Sequence, residues 1–203
     1  MNDINLEEAI LNSATKLFLK NGFSATSTTD IARDAGCNQA LVHYYYRTKD
    51  RLFDAIFQTK LKSFIESLLH IGQEDLPFRQ KIAKRIEAHF DTIQKDPMLP
   101  MFIFREVSFN PGRLKQLKES LKNLPQQMLA QMQKELDEEI SHGRIRRISV
   151  HDLLLTIISL NIMVFMVEPI FKTVMGVSDE AFEALRQQRK KEHIHLVMCS
   201  LNP

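Results

Sequence analysis

Apolar residues recur at spacings of three and four through most of the chain, which is the periodicity of amphipathic α-helices. The first run ends at Asn21-Gly22 and contains Leu6, Ile10, Ala14, Leu17 and Phe18. A second run follows Thr48 and continues to about residue 70, and others extend to about residue 200. The pattern predicts an all-α protein.

Between the first two long runs lies a compact stretch, Ser27 to Lys49, that predicts two short helices joined by a tight turn. Ser27 and Asp30 form an S-x-x-D capping box at the start of the first short helix, and Gly36 ends it. Asn38 caps the second short helix and Thr48 caps the helix that follows. Two short helices joined in this way form a helix-turn-helix.

The second short helix has two different faces. Val42 and Tyr45, with Tyr46 beside them, are predicted to pack inward, while Gln39, Ala40, His43 and Tyr44 face outward. Such a face can enter the major groove, where glutamine hydrogen-bonds an adenine edge and apolar groups touch a thymine methyl. The alternative interpretation is an ordinary corner between two helices with a solvated surface.

Residues 8 to 57 resemble the N-terminal domain of the TetR family of bacterial transcriptional regulators. The matching pieces are I-L-x-x-A-x-x-L-F from Ile10, N-G-F-x-A-T-S from Asn21, D-I-A-x-x-A-G from Asp30, and H-Y-Y-Y-R-T-K from His43. The resemblance implies a three-helix DNA-binding domain followed by a helical domain for ligand binding and dimerisation. It also implies a DNA-binding set of Thr28, Thr29, Asn38, Gln39, Ala40, Leu41, His43, Tyr44 and Lys49.

Within that set, the resemblance gives phosphate or base contacts to Thr28 and Thr29 and a phosphate anchor to Lys49. Gln39, Ala40 and Leu41 resemble residues that enter the groove, and His43 and Tyr44 resemble residues that reach backbone and bases. The chain departs from the usual family pattern at Leu41, where a smaller or hydroxylated residue is commoner, and at Tyr46. The first departure leaves the operator sequence open.

Charge adds a local signal only. The formal net charge is +2, and residues 1 to 60 hold seven basic and seven acidic residues. Residues 38 to 62, however, contain five basic residues against two acidic ones. The surface that faces a duplex can therefore be basic, and DNA affinity is expected to fall with added salt.

Three segments are predicted: a DNA-binding domain over residues 1–48, a linking helix over 49–70, and an effector-binding and dimerisation domain over 71–203. Residues 153 to 171 are apolar nearly all round and predict a buried helix that needs a second partner. In the family that the chain resembles, the last two long helices form an intersubunit four-helix bundle. The resemblance thus implies a homodimer through residues 150–200.

Aromatic and methionine residues of the C-terminal segment could line an apolar effector pocket, although core packing is the commoner role of such residues. Glu106 and Glu168 are acids in apolar segments and require either a protein partner or a cationic ligand. We therefore expect a small hydrophobic or cationic effector. The candidate pocket residues are Phe90, Phe102, Phe104, Glu106, Phe109, Met128, Met132, Met163 and Met166.

Other chemistries find little support in the sequence. His193 and His195 diverge on a helix, and no phosphate loop, G-x-S-x-G or H-E-x-x-H occurs, so we expect no metal, no cofactor and no enzyme activity. Cys37 and Cys199 are far apart and are predicted to be small buried residues of a cytoplasmic protein. The apolar stretch before Val167 is short and polar for a membrane span.

These observations predict a homodimeric, ligand-responsive repressor of a double-stranded palindromic DNA operator. Two rivals stay open: an activator of the same fold that answers to a protein partner, and an α-helical adaptor that grips another chain through residues 153–171. Release of operator by candidate compounds argues against the first rival, and a stable dimer in gel filtration argues against the second.

Overall fold

The structure, a computed structural model, describes residues 3–69, 76–110 and 124–203, together with Gly112, Lys115, Lys118 and Glu119. Every regular element in this part of the chain is an α-helix, which confirms the predicted fold class. The bounds are α1 Asp3–Asn21, α2 Thr28–Asp34, α3 Gln39–Tyr46, α4 Lys49–Leu69, α5 Phe78–Lys95, α6 Leu99–Phe109, α7 Leu124–Ser141, α8 Val150–Met166, α9 Glu168–Val174 and α10 Asp179–Ser200.

Side-chain caps fix the starts of several helices. The Ser27 and Asp30 capping box is present, and Asn38 Oδ1 accepts from the backbone N–H of Leu41 at 3.0 Å. Thr48 Oγ1 likewise accepts from the backbone N–H of Arg51 at 3.2 Å. Each cap satisfies an amide that the first helical turn leaves without a partner, which is why these predicted starts are confirmed.

One predicted helix is wrong. The continuous helix over residues 153 to 171 is interrupted at Val167, where α8 ends and α9 begins. Pro169 explains the break, because its ring has no N–H and clashes with the carbonyl four residues earlier in a continuous helix.

Two compact units divide the chain: Met1–Lys62 with Met101–Ser120, and Ser63–Pro100 with Leu121–Pro203. We call them the N-terminal and C-terminal units. The predicted domains divide the chain differently, because they place residues 101–120 in the C-terminal domain. The predicted boundary between residues 70 and 71 lies outside the described residues.

An aromatic cluster explains why part of α6 belongs to the N-terminal unit. The Phe53 ring of α4 lies 4.9 Å from Phe18 of α1, 5.0 Å from Phe23 and 5.5 Å from Phe102 of α6, between ring centroids. Phe18, Phe53 and Phe102 are fully or almost fully buried. The core of this unit therefore joins α1, α4 and α6.

Arg105 of α6 reinforces this connection at the end of α1. Its guanidinium donates to the carbonyl oxygens of Phe18 and Asn21, each at 3.4 Å. Gly22 ends α1 with φ +82°, and a Cβ at this position would lie 2.2 Å from Arg105 Nη2. Only glycine allows both the backbone turn and the approach of the arginine.

We expect Gly22→Ala to lower the free energy of unfolding by about 1 to 2 kcal/mol, because it strains a positive φ and displaces Arg105. Gly36→Ala is the matched control, since Gly36 has φ +69° and nothing within 4 Å of its Cβ position. Urea unfolding should show a larger loss for Gly22→Ala than for Gly36→Ala. Equal losses would mean that the Arg105 contact contributes nothing.

In the C-terminal unit α5, α8 and α10 pack pairwise against one another. Their shared core includes Ile82 and Ile86 of α5, Leu153 and Ile157 of α8, and Val197 of α10. By length and composition, Val150–Val174 could cross a membrane. It is not a convincing span, because the helix breaks at Val167 and Asn161 is fully buried among hydrogen-bond partners.

Candidate nucleic-acid interface

The outer face of α3 presents most of the predicted DNA-binding residues to solvent. Leu41 is half-buried and Tyr44 is 74% exposed, while Val42 is buried beneath them. From α2 and α4, Thr28 and Lys49 are half-buried beside this face. The remaining predicted residues are all exposed: Thr29, Asn38, Gln39, Ala40 and His43.

Gln39 is held in place by both of its neighbours. Its Nε2 donates to Thr28 Oγ1 at 2.8 Å and lies 3.4 Å from His43 Nε2. His43 Nδ1 lies 3.2 Å from the carbonyl oxygen of Arg47, so the ring proton sits on Nδ1 and Nε2 accepts. Both amide hydrogens of Gln39 therefore have internal acceptors, and its Oε1 is the atom left for a base edge.

Lys49 occupies a more structural position than the resemblance implies. Its Nζ donates to the carbonyl oxygens of Phe23 and Thr26, each at 3.0 Å, and lies 4.1 Å from the centroid of the Phe23 ring. An ammonium group has three donors, so one N–H remains beyond these two bonds. Lys49 thus ties the loop after α1 to the start of α4.

Arg47 was not among the predicted site residues. It ends α3 with φ +64°, a conformation that is uncommon outside glycine, and its side chain is exposed. The carbonyl oxygen of Arg47 fixes the tautomer of His43. The signal in the sequence that could have pointed to Arg47 is its basic side chain directly after α3.

The nine predicted effector-pocket residues lie in different surroundings, and their grouping into one pocket stays a prediction. Phe102 packs in the aromatic cluster of the N-terminal unit, Met132 in the main core of the C-terminal unit, and Phe90 in a smaller core with Phe165. Phe104 and Phe109 are exposed, Glu106 is buried, and Met128 and Met166 are half-buried. Large apolar side chains are drawn into whichever core is nearest, which a linear pattern does not specify.

A cavity of about 540 Å³ lies beside α8, α9 and α10, and Met163 is the member of the nine among its lining residues. It shares this cavity with Phe171, Phe182 and His193, among others. Met163 is also 55% exposed, so it lies on the open side of the cavity.

Glu168 has protein partners. Lys172 Nζ lies 2.5 Å from Oε1, and Arg186 Nη1 lies 3.3 Å from Oε2. Glu106 accepts from Asn110 Nδ2 at 3.2 Å, and Arg105 Nε lies 3.9 Å from its other oxygen. Both acids therefore have protein partners, which was the first of the two predicted explanations. The observation that suggested a cationic effector is thereby removed.

A buried polar cluster in the C-terminal unit was missed. Asn161 Nδ2 donates to the carbonyl oxygen of Ile86 at 3.0 Å and lies 3.1 Å from His89 Nδ1, while its Oδ1 lies 2.9 Å from His193 Nδ1. Burial lowers the pKa of each histidine to about 4. His193 is therefore a neutral core residue.

The two cysteines differ from the prediction. Cys37 is half-buried, and burial raises the pKa of its thiol, but Cys199 is exposed, with Sγ 3.6 Å from His195 Nε2. Cys199 lies off the buried face of α10 that carries Val197, so helical phase explains its exposure. Within the described residues, no group of three or more His, Cys, Asp or Glu is placed to hold a metal ion.

Comparison with known proteins agrees with this geometry. Residues 10–56 match the model of the bacterial regulatory proteins of the tetR family. The chain is 25% identical over 143 residues to the HTH-type transcriptional regulator YhgD of Bacillus subtilis, covering 70% of this chain and 73% of that protein. It is 38% identical over 50 residues to the regulator QacR of Staphylococcus aureus, covering 25% of this chain and 27% of QacR.

Solved structures extend the likeness of fold to nearly the whole chain. HlyIIR, a hemolysin II transcriptional regulator, aligns with a TM-score of 0.60 at 20% identity, covering 94% of this chain and 98% of that one. The helix-turn-helix match, the related regulators and the shared fold lead to one conclusion: residues 10–56 form a DNA-binding domain of the TetR type, and the chain resembles the transcriptional regulators of the TetR family.

Proposed function

We propose that this protein is a cytoplasmic repressor that binds a palindromic DNA operator as a homodimer and is released by a small-molecule effector. The observation that carries the proposal is the exposed polar face of α3, with Gln39 held by Thr28 and His43. A dimer bound over a promoter covers the duplex and excludes other proteins from it, so repression is the expected sign.

In the proposed complex α3 of each subunit enters the major groove. Gln39, Ala40 and Leu41 meet base edges, and His43 and Tyr44 reach bases and backbone. Thr28, Thr29 and the remaining donor of Lys49 contact phosphate, and Asn38 keeps the N-terminus of α3 capped beside it. Two half-sites are expected roughly 34 to 36 Å apart, about one helical turn of DNA.

Exposed apolar side chains support dimerisation through residues 150–200. Leu155 of α8 is 63% exposed and Ile170 of α9 is 55% exposed, on segments that are otherwise apolar. Apolar side chains that are exposed on such segments are a feature of interaction surfaces. A second copy of the chain would cover them by the two-fold pairing that is commonest among soluble oligomers.

Effector release follows from linkage. The dimer can adopt a state in which the two α3 helices are separated by a distance that does not fit the operator. An effector that binds the C-terminal unit more tightly in that state lowers the affinity of the dimer for DNA. DNA must then lower the affinity for the effector by the same factor. The chemical class of that effector is treated in the next subsection.

The test begins with selection of bound duplexes from a random DNA pool, followed by titration of the selected site and a scrambled duplex. Gln39→Ala should weaken binding to the selected site by about 1 to 3 kcal/mol and leave the scrambled duplex unchanged, because a base contact is lost. Lys49→Ala should weaken binding to both duplexes equally and should reduce the dependence of the affinity on salt concentration.

Lys20→Ala is the charge-matched control, since Lys20 is an exposed lysine at the end of α1. It should leave both affinities near the wild-type values. Equal losses on both duplexes for Gln39→Ala would exclude base reading by α3. A stable monomer that selects no duplex would favour an adaptor. Activation of a reporter gene by the bound protein would show that the protein is an activator and not a repressor.

A further inference from the structure

Arg85 and His89 lie one turn apart on the same face of α5, and both are buried inside the C-terminal unit. The exposed fraction is 5% for Arg85 and zero for His89. Arg85 Nε, Arg85 Nη1 and His89 Nε2 have no hydrogen-bond partner in the part of the chain that the structure describes. Unpaired buried polar groups are costly, so a bound ligand that accepts from these atoms would be stabilising.

The hydrogen bonds of Asn161 show that His89 Nε2 is a donor. The amide nitrogen of Asn161 must face the carbonyl oxygen of Ile86, which can only accept. Its second hydrogen then points to His89 Nδ1, which accepts, so the ring proton of the neutral imidazole lies on Nε2. All three unpaired atoms on this face of α5 are therefore N–H donors.

The surrounding charges favour a single negative charge. Glu135 of α7 attracts Arg85 electrostatically, but its Oε1 is 3.2 Å from Lys81 Nζ, and its buried Oε2 makes no hydrogen bond with Arg85 or with another described residue. Two cations and one carboxylate leave a net charge of +1. Of these three groups Arg85 is the most buried, and its planar guanidinium matches a carboxylate well.

We propose that the effector is an organic monoanion whose carboxylate binds the donors of Arg85 and His89. Phe64 of α4, with its ring centroid 4.9 Å from that of His89, offers an apolar surface to the body of the ligand. This assignment rests on the proposed effector control and names the chemistry of the effector. A cationic effector is disfavoured, because the net positive charge of the site would repel it.

The test compares four probes with the same eight-carbon body on the full-length protein without DNA: octanoate, octanol, octylammonium and octyl phosphate. Calorimetric titration should show tightest binding for octanoate. Arg85→Met should weaken octanoate binding by about ten- to a hundredfold, the value of a hydrogen bond to a charged group, and remove the preference over octanol. Lys84→Met, which removes the same charge from an exposed position on the same helix, should leave octanoate binding unchanged.

His89→Phe keeps a ring of similar size and should also weaken octanoate binding, which tests the site if Arg85→Met does not fold. Tighter binding of octyl phosphate would reassign the ligand to a phosphate monoester and overturn the carboxylate. Absence of octanoate binding, or equal binding by wild type and Arg85→Met, would overturn the site. Octanoate that binds without releasing operator would leave the anion site standing and refute effector control instead.

Discussion

Acidification from pH 7 to pH 5 is expected to lower the free energy of unfolding by about 3 to 4 kcal/mol, because two histidines are buried in the neutral form. The pKa of His89 and of His193 falls from 6.5 to about 4 on folding. Between these values the unfolded chain binds protons that the folded chain does not. Stability is therefore full above pH 6.5 and is lost as the pH falls toward 4.

Urea unfolding at pH 7, 6 and 5 measures this effect above the range in which most carboxylates titrate. His89→Phe should roughly halve the loss between pH 7 and pH 5, because one of the two proton acceptors is removed. An unfolding free energy that is equal at pH 7 and pH 5 would contradict neutral burial of both rings.

Phe53→Ala is expected to lower the free energy of unfolding by about 3 to 5 kcal/mol, the usual cost of deleting a buried phenylalanine. The Phe53 ring contacts Phe18 of α1 and Phe102 of α6 and is fully buried. Its loss leaves a cavity where α1, α4 and α6 meet. Operator affinity should fall as well, and both effects can be measured by urea unfolding and by duplex titration.

Phe104→Ala is the matched control on α6, because the Phe104 side chain is 61% exposed. It should change the unfolding free energy by no more than about 0.5 kcal/mol. Phe53→Leu, which keeps most of the volume, should cost less than about 1.5 kcal/mol. A loss for Phe53→Ala no larger than that for Phe104→Ala would refute the central role of the aromatic cluster.

Local signals are sufficient for the helix starts and for the helix-turn-helix. Ser27, Asn38 and Thr48 each satisfy an amide within three residues of themselves, so their roles can be predicted from adjacent sequence. The break at Val167 was also locally encoded, by Pro169, but the apolar periodicity on either side conceals it. At this point the proline predicts the end of the helix better than the apolar periodicity does.

Long-range packing was not predictable in the same way. His193 acquires its role from Asn161, 32 residues earlier, and Phe102 joins the N-terminal unit through Phe53. Neither contact leaves a periodic trace in the chain. The candidate pocket stays a prediction for the same reason, since residue type predicts burial but does not select the core in which a side chain is buried.

The internal bonds of Gln39 have a thermodynamic consequence for recognition. A long polar side chain that is ordered only on binding loses rotamer entropy at that moment, at a cost of about 0.5 to 1.5 kcal/mol. Thr28 and His43 already restrict the Gln39 amide in the unliganded protein. That cost is met when the chain folds, so a duplex encounters a side chain whose carbonyl is already aimed.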